Sequence, residues 1–272
     1  MIPSHRALGI VGCQVLEDEI AYIAGNDPET RTIVVVDDSK AGTLVSKIKR
    51  VAPDKNVIAA SEAELAAVVL PAEFSLFIWM KPIGLHQSPP LLREEVLGAV
   101  RRLESLTQSI LIFYGLCGNA FRNIELMSKG ARVPISILSD ETGKIVDDCT
   151  CTVLGGTDAY RQFLVKEPGV YVLNSMWATH WKQFMQETQM TSDPSNVEEV
   201  KMIFEFMDYK KVAKLQTGLG DPEFDERFNE FAEMFGLQKA VRPCTLNLVE
   251  DSYHRAKARI VAGDAPPLHQ LT

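Results

Sequence analysis

The stretch Ile110-Leu-Ile-Phe-Tyr-Gly-Leu-Cys-Gly-Asn119 decides how the chain is read. Ile110 to Tyr114 is an unbroken apolar run and predicts a buried strand. Gly115 and Gly118 flank Cys117 and let the backbone bend sharply beside it. Asn119 is a favourable helix cap, so a helix is expected from there to about Met127. A thiol between a strand end and a helix N-terminus feels the positive end of the dipole, which favours thiolate. The plainer reading is a small residue packed in a tight turn.

Outward from this stretch, other apolar runs carry the same signature. Ala7 to Gly12, Thr32 to Val36, Phe74 to Trp79 and Val133 to Leu138 read as buried strands. Helical spacing separates them, as in Leu16, Ile20 and Ile23, in Ala41 to Val51 ahead of Pro53, and in Leu91 to Leu106. Ser61 and Glu64 form a capping box. Alternating strands and helices indicate an α/β fold: a doubly wound, mainly parallel sheet with flanking helices. A weaker echo follows, with strands at Val170 to Leu173, Val212 to Thr217 and Cys244 to Val249. Asp221-Pro222 is expected to cap a helix whose Phe224, Phe228, Phe231 and Phe235 form one apolar face. The chain therefore divides into two Rossmann-like lobes, 1–140 and 141–262, the second packed on the first, with a mobile tail over 263–272.

Composition narrows the function. The formal charge of −8 over 272 residues argues against a nucleic-acid groove or an anionic membrane surface. No apolar run approaches the ~20 residues of a membrane span, and the N-terminus lacks a signal-peptide pattern. A cytoplasmic protein is expected, with homo-oligomerisation left open. Five scattered cysteines do not make a disulfide framework. There is no GxGxxG fingerprint, P-loop, nucleophile elbow or HExxH motif.

The cysteines carry the chemistry. In an open parallel sheet, sites form beyond the carboxyl ends of the strands. Cys13 follows the first strand, Cys117 the central one, and Cys149 the Val133–Leu138 strand after a loop. Three thiols so placed can meet at one sheet edge and hold zinc or an iron–sulfur cluster. Separate burial of each is the alternative. Zinc is favoured because no compact Cys-x-x-Cys run is present. The fourth ligand is open among His180, Cys151, Glu19 and a substrate. His180 lies between Trp177 and Trp181, where packing is the commoner role. Two segments, Trp79–Pro90 and Trp177–Phe184, offer aromatic surface to a partner if they are exposed.

Gly12-Cys13, Tyr114-Gly-Leu-Cys-Gly-Asn119, and Asp148-Cys149 with Leu154-Gly-Gly156 resemble the domain-of-unknown-function 1638 family of methanogens and strict anaerobes. The resemblance spans roughly residues 7 to 250 and places the family's cysteines at Cys13, Cys117 and Cys149. Gly12, Tyr114, Gly115, Gly118 and Asn119 are assigned to cofactor binding around them. Ser139 to Val146 looks inserted relative to the family pattern. The resemblance implies a setting of corrinoid-linked methyl transfer to a thiol. A corrinoid protein or methyltransferase subunit is then the expected partner, presenting the corrinoid. An accessory or electron-transfer protein is the alternative.

Overall fold

The computed structural model describes residues 6–36, 41–71 and 73–261. The Asp37-Asp38 boundary and the tail from 263 lie outside them. Within them the fold is α/β, built on two parallel sheets.

The elements run in order β1 (Ala7–Cys13), α1 (Glu17–Asn26), β2 (Thr30–Val36), α2 (Ala41–Val51), β3 (Asn56–Ala60) and β4 (Phe74–Lys81). A 3-10 turn at Ile83–Gln87 leads to α3 (Pro89–Leu103), β5 (Ser109–Phe113), α4 (Ile124–Met127) and β6 (Ile135–Ile137). Then come α5 (Thr150–Val153), α6 (Thr157–Lys166), β7 (Val170–Leu173), α7 (Ser175–Glu187) and α8 (Val197–Phe206). The chain closes with β8 (Lys211–Gln216), α9 (Phe224–Met234), β9 (Gln238–Pro243) and α10 (Asn247–Val261).

The larger sheet has the order β3-β2-β4-β1-β5-β6, with every pair parallel. β1, β4 and β5 are buried at every residue, as continuous apolar runs in a two-sided sheet require. The connection β1–α1–β2 runs one way along the sheet and β4–α3–β5 the other. Right-handed crossovers then put α1 and α3 on opposite faces. α3 packs on β4, β1 and β5, while α1 packs on α2 and α10. Ser88 caps α3, its Oγ accepting from the Leu91 N–H, with prolines in the first turn. Glu64 accepts hydrogen bonds from the Ser61 N–H and hydroxyl, closing the capping box ahead of a 3-10 turn.

The smaller sheet, β7-β8-β9, is parallel throughout. Phe224, Phe228, Phe231 and Phe235 are all buried against Trp181, Tyr171 and Phe204, a core as their spacing predicts. α10 then leaves this sheet and packs back on β1, β5 and β6.

Three local expectations are corrected. No helix starts at Asn119; turns fill the segment up to α4, which begins at Ile124. The last strand is Gln238–Pro243, not Cys244–Val249, whose apolar residues open α10 instead. Asp221 does not cap α9, which starts at Phe224 after Glu223. Its carboxylate pairs with Arg50 at 3.1 Å and faces buried Lys47 at 3.7 Å. No helix among the described residues is long and apolar enough to cross a membrane.

Candidate metal centre

β4, β1 and β5 lie side by side, and each delivers a chemical group at its carboxyl end. Cys13 is the last residue of β1. The 3-10 turn after β4 brings His86, and the loop after β5 brings Cys117. Cys149 arrives from the segment between β6 and α5.

Ligand atoms of Cys13, His86 and Cys149 all lie within 4.8 Å of one another. The Cys117 Sγ is 3.9 Å from the Cys149 Sγ. Cys149 is thus the hub, in hydrogen-bond reach of Cys117, Cys13 and His86. Those three contacts hold its pKa well below an ordinary thiol's, against the opposing effect of burial. Burial and the Cys149 thiolate push Cys13 up; donation to Cys149, with burial, does the same to Cys117. Thiolate is therefore favoured at Cys149 and not at Cys117, because Cys117, Cys13 and His86 donate toward Cys149, and no helix starts beside Cys117 to favour it there.

The His86 Nδ1 lies 3.0 Å from the Ile83 carbonyl oxygen. Nδ1 therefore carries hydrogen and donates, leaving Nε2 for the sulfur cluster. Burial depresses the His86 pKa, but the hydrogen bond and charge of Cys149 outweigh it and raise the net value. The buried Tyr114 ring stacks on His86 at 6.0 Å, and its hydroxyl reaches toward the Gly12 carbonyl at 3.5 Å. The second sheet's lobe also holds the histidine turn. Glu187, at the end of α7, accepts from the Gly84 N–H through Oε2 and from the Gln87 side chain through its carbonyl.

The loop carrying Cys117 is built by close backbone approach. Leu116 N–H donates to the Val146 carbonyl at 2.7 Å, and Cys117 N–H to that of Asp147 at 2.9 Å. A Cβ on Gly115 would stand 2.6 Å from the Val146 oxygen and 3.0 Å from Asp148 backbone, so only glycine fits. Cys117, Gly118 and Asn119 all adopt positive φ, at 45°, 65° and 66°. Left-handed backbone at the two non-glycine residues, Cys117 and Asn119, costs free energy, about 1 kcal/mol or more each, and such residues cluster at functional sites. On the facing side, Asp148 Oδ1 accepts from the Thr150 and Cys151 N–H groups and fixes the turn around Cys149. The Ser139–Val146 segment forms a small hairpin, bridged at Ser139 and Ile145, that supplies the Val146 carbonyl.

The other fourth-ligand candidates are not among the atoms gathered with Cys13, His86 and Cys149, although the Cys149 charge acts on Glu19. His180 sits at a kink in α7 and packs on the Phe184 ring. Cys151 is fully buried with its pKa pushed to about 12 by burial and Asp148. Glu19 is fully buried in α1, its Oε2 without a hydrogen-bond partner, and burial followed by Asp18 raises its pKa to about 8. Trp79 and Trp181 are buried, and Trp177 is half-buried, so these segments do not form an exposed aromatic surface. His86 is the donor that sequence reading missed. Its only signal was position: a histidine in the loop after a central strand.

The donor set suits a thiophilic metal ion. Soft sulfurs and one imidazole, buried and oriented by neighbours, match the preferences of zinc and of iron–sulfur centres. Residues 80–253 match the family model described as a protein of unknown function (DUF1638). No curated protein and no solved structure matches the chain. His86, Cys117 and Cys149 fall within the matched residues, and Cys13 precedes them. The match covers well over half of the sequence, so the chain belongs to the DUF1638 family.

Proposed function

We propose that this protein binds zinc through Cys13, His86 and Cys149, with Cys117 as a displaceable fourth donor, and acts in corrinoid-linked methyl transfer to a thiol. The observation that carries the metal reading is Cys149 in reach of two further thiols and an imidazole whose other nitrogen is already committed. Bound there, zinc would hold a substrate thiol as its nucleophilic thiolate. The protein's own residues supply the rest. Tyr114 and the Ile83 carbonyl orient His86. The strained turn at Cys117 presents a sulfur that can leave the cluster by a small backbone change. Burial of Cys13, Cys117 and Cys149 limits the solvent that reaches the sulfurs. The methyl-transfer setting and the corrinoid-bearing partner rest on the family resemblance.

A second reading is an iron–sulfur protein that docks on a corrinoid methyltransferase system and delivers electrons. The exposed apolar residues Met202, Phe206 and Met207 at the end of α8 favour a docking role, since such clusters mark partner surfaces. Metal analysis and visible spectra of protein prepared without oxygen separate the readings. Stoichiometric zinc in a colourless protein, lost in Cys149→Ser, supports the first. A brown protein bleached by dithionite replaces it with the second. Neither metal present, with Cys149→Ser unchanged, rejects both.

A further inference from the structure

A cavity of about 500 Å³ lies between the two sheets, and Cys149 is part of its wall. The volume falls in the range of small-molecule sites. Val15 and Leu16, just after Cys13, form one side. Tyr171, Trp177 and Tyr209 contribute aromatic surface, and Leu164 and Met207, both exposed, rim its mouth. No Lys, Arg or His is among the described residues lining it. Its one charged residue, Glu167, is engaged by Lys211 at 2.8 Å.

Three polar side chains in the wall, Glu167, Asn174 and Thr188, are occupied, and the tyrosine hydroxyls there are neutral. Asn174 donates to the Val15 carbonyl at 2.8 Å and accepts from the Trp177 N–H at 2.9 Å. Thr188 donates to the Phe184 carbonyl at 2.7 Å. An anion placed here would be desolvated with no cation to meet it, a large cost. A cation would find only a carboxylate already paired. An uncharged, largely apolar body gains from the aromatic and aliphatic walls and leaves the Asn174 and Thr188 hydrogen bonds in place.

We propose that this cavity admits an uncharged, largely apolar thiol, seated with its sulfur toward Cys149. The thiol identity rests on the metal–thiolate reading above; the uncharged, apolar character rests on the cavity alone. The two therefore fail separately.

The test uses the full-length protein, as isolated and after metal removal by a chelator. Benzyl mercaptan, 3-mercaptopropionate and cysteamine serve as neutral, anionic and cationic probes. Binding is read by calorimetry and by the fluorescence change that Trp177→Phe should abolish. Both charged thiols are expected to bind at least about tenfold more weakly than the neutral one. Leu164→Arg, at the exposed rim, is expected to raise affinity for 3-mercaptopropionate several-fold without changing metal content. Equal or tighter binding of a charged thiol overturns the proposal, as does no saturable binding of benzyl mercaptan, or no gain in Leu164→Arg. Metal bound at Cys149 without apolar-thiol binding sinks only this inference. Apolar-thiol binding in a protein that takes up no metal sinks only the metal reading.

Discussion

Asp27 and Lys257 are 230 positions apart in the chain, yet the Lys257 Nζ lies 2.7 Å from the Asp27 Oδ2. The Tyr253 hydroxyl donates to the same carboxylate at 2.5 Å, and Thr30 adds a third donor at 3.0 Å. This buried cluster pins α10 across the first sheet, although α10 follows directly from the second. Burial opposes ionisation of Asp27, but its hydrogen bonds to Lys257 and Tyr253 prevail and lower its pKa.

Asp27→Ala is therefore expected to destabilise the fold by about 2–4 kcal/mol, because it leaves a nearly buried ammonium with only the half-exposed Glu29 carboxylate at 3.2 Å and takes the acceptor from Tyr253 and Thr30. Tyr253→Phe removes one hydrogen bond and should cost only ~1–2 kcal/mol. Denaturant unfolding of the two variants measures the difference. Equal, small losses would show that the cluster does not anchor the helix.

Gly115→Ala is expected to separate Cys117 from Cys149 while keeping the sheet. The added methyl would collide with the Val146 carbonyl, whose hydrogen bond to Leu116 holds the loop. Metal content should fall with an unchanged far-ultraviolet dichroism spectrum. Full metal occupancy in this variant would mean that the Cys117 loop plays no part in the centre.

Glu187→Ala should loosen the turn carrying His86 from a distance. The Glu187 carboxylate holds that turn at Gly84 without being a ligand itself, and the variant removes this contact while keeping the backbone carbonyl that accepts from Gln87. Groups that orient a ligating histidine typically contribute about 10–100-fold in metal affinity. A competition titration against a chromophoric chelator reads this directly. His86→Ala should lose more than Glu187→Ala; the reverse order would contradict the arrangement.

Glu19 gives a pH signature. It keeps its proton in the folded chain up to about pH 8, whereas the unfolded chain releases it near 4.5. Between these values the folded state binds one more proton, so stability falls as pH rises through that window. Each pH unit is worth ~1.4 kcal/mol, so a loss on the order of a few kcal/mol is expected. In metal-free protein, Glu19→Gln should flatten this part of the stability profile. An unchanged slope would place the responsible proton elsewhere.

Lys47 meets Asp18 at 2.6 Å and Glu17 at 3.3 Å, and all three are buried between α1, α2 and the Asp221 loop. Lys47→Met should cost about 3–5 kcal/mol by stranding these acids. Restoring stability by lowering the pH, which protonates them, is the check on that cause.

The sheet was legible because its central strands are buried on both faces. Ala7–Cys13 and Phe74–Lys81 leave no exposed residue and so read as unbroken apolar runs. The shared edge of Cys13, Cys117 and Cys149 was legible from the rule that groups converge beyond parallel strand ends. β9 was not, because all but one of its residues are exposed and no alternation marks it. The absent helix at Asn119 was hidden because the Leu116 and Cys117 N–H groups are committed to the Val146 and Asp147 carbonyls, partners about thirty residues ahead that no local pattern announces. His86 had no spacing relation to any cysteine. Its place depends on Glu187, about a hundred residues further on, in the other lobe.

The dispersal of the cluster over four separate segments gives the centre an order in time. During synthesis Cys13 emerges first, and its thiol has no companion until the Cys117 loop is made. The hub, Cys149, follows the hairpin on which the Cys117 loop leans, and Glu187 must follow before the histidine turn is held. A chain stalled before Cys149 carries thiols without their hub, and one stalled before Glu187 lacks the contacts that hold the histidine turn. Metal capture would thus follow the synthesis of Cys149, and a ribosome-bound fragment ending before it would remain open to oxidation at the very sulfurs it later encloses.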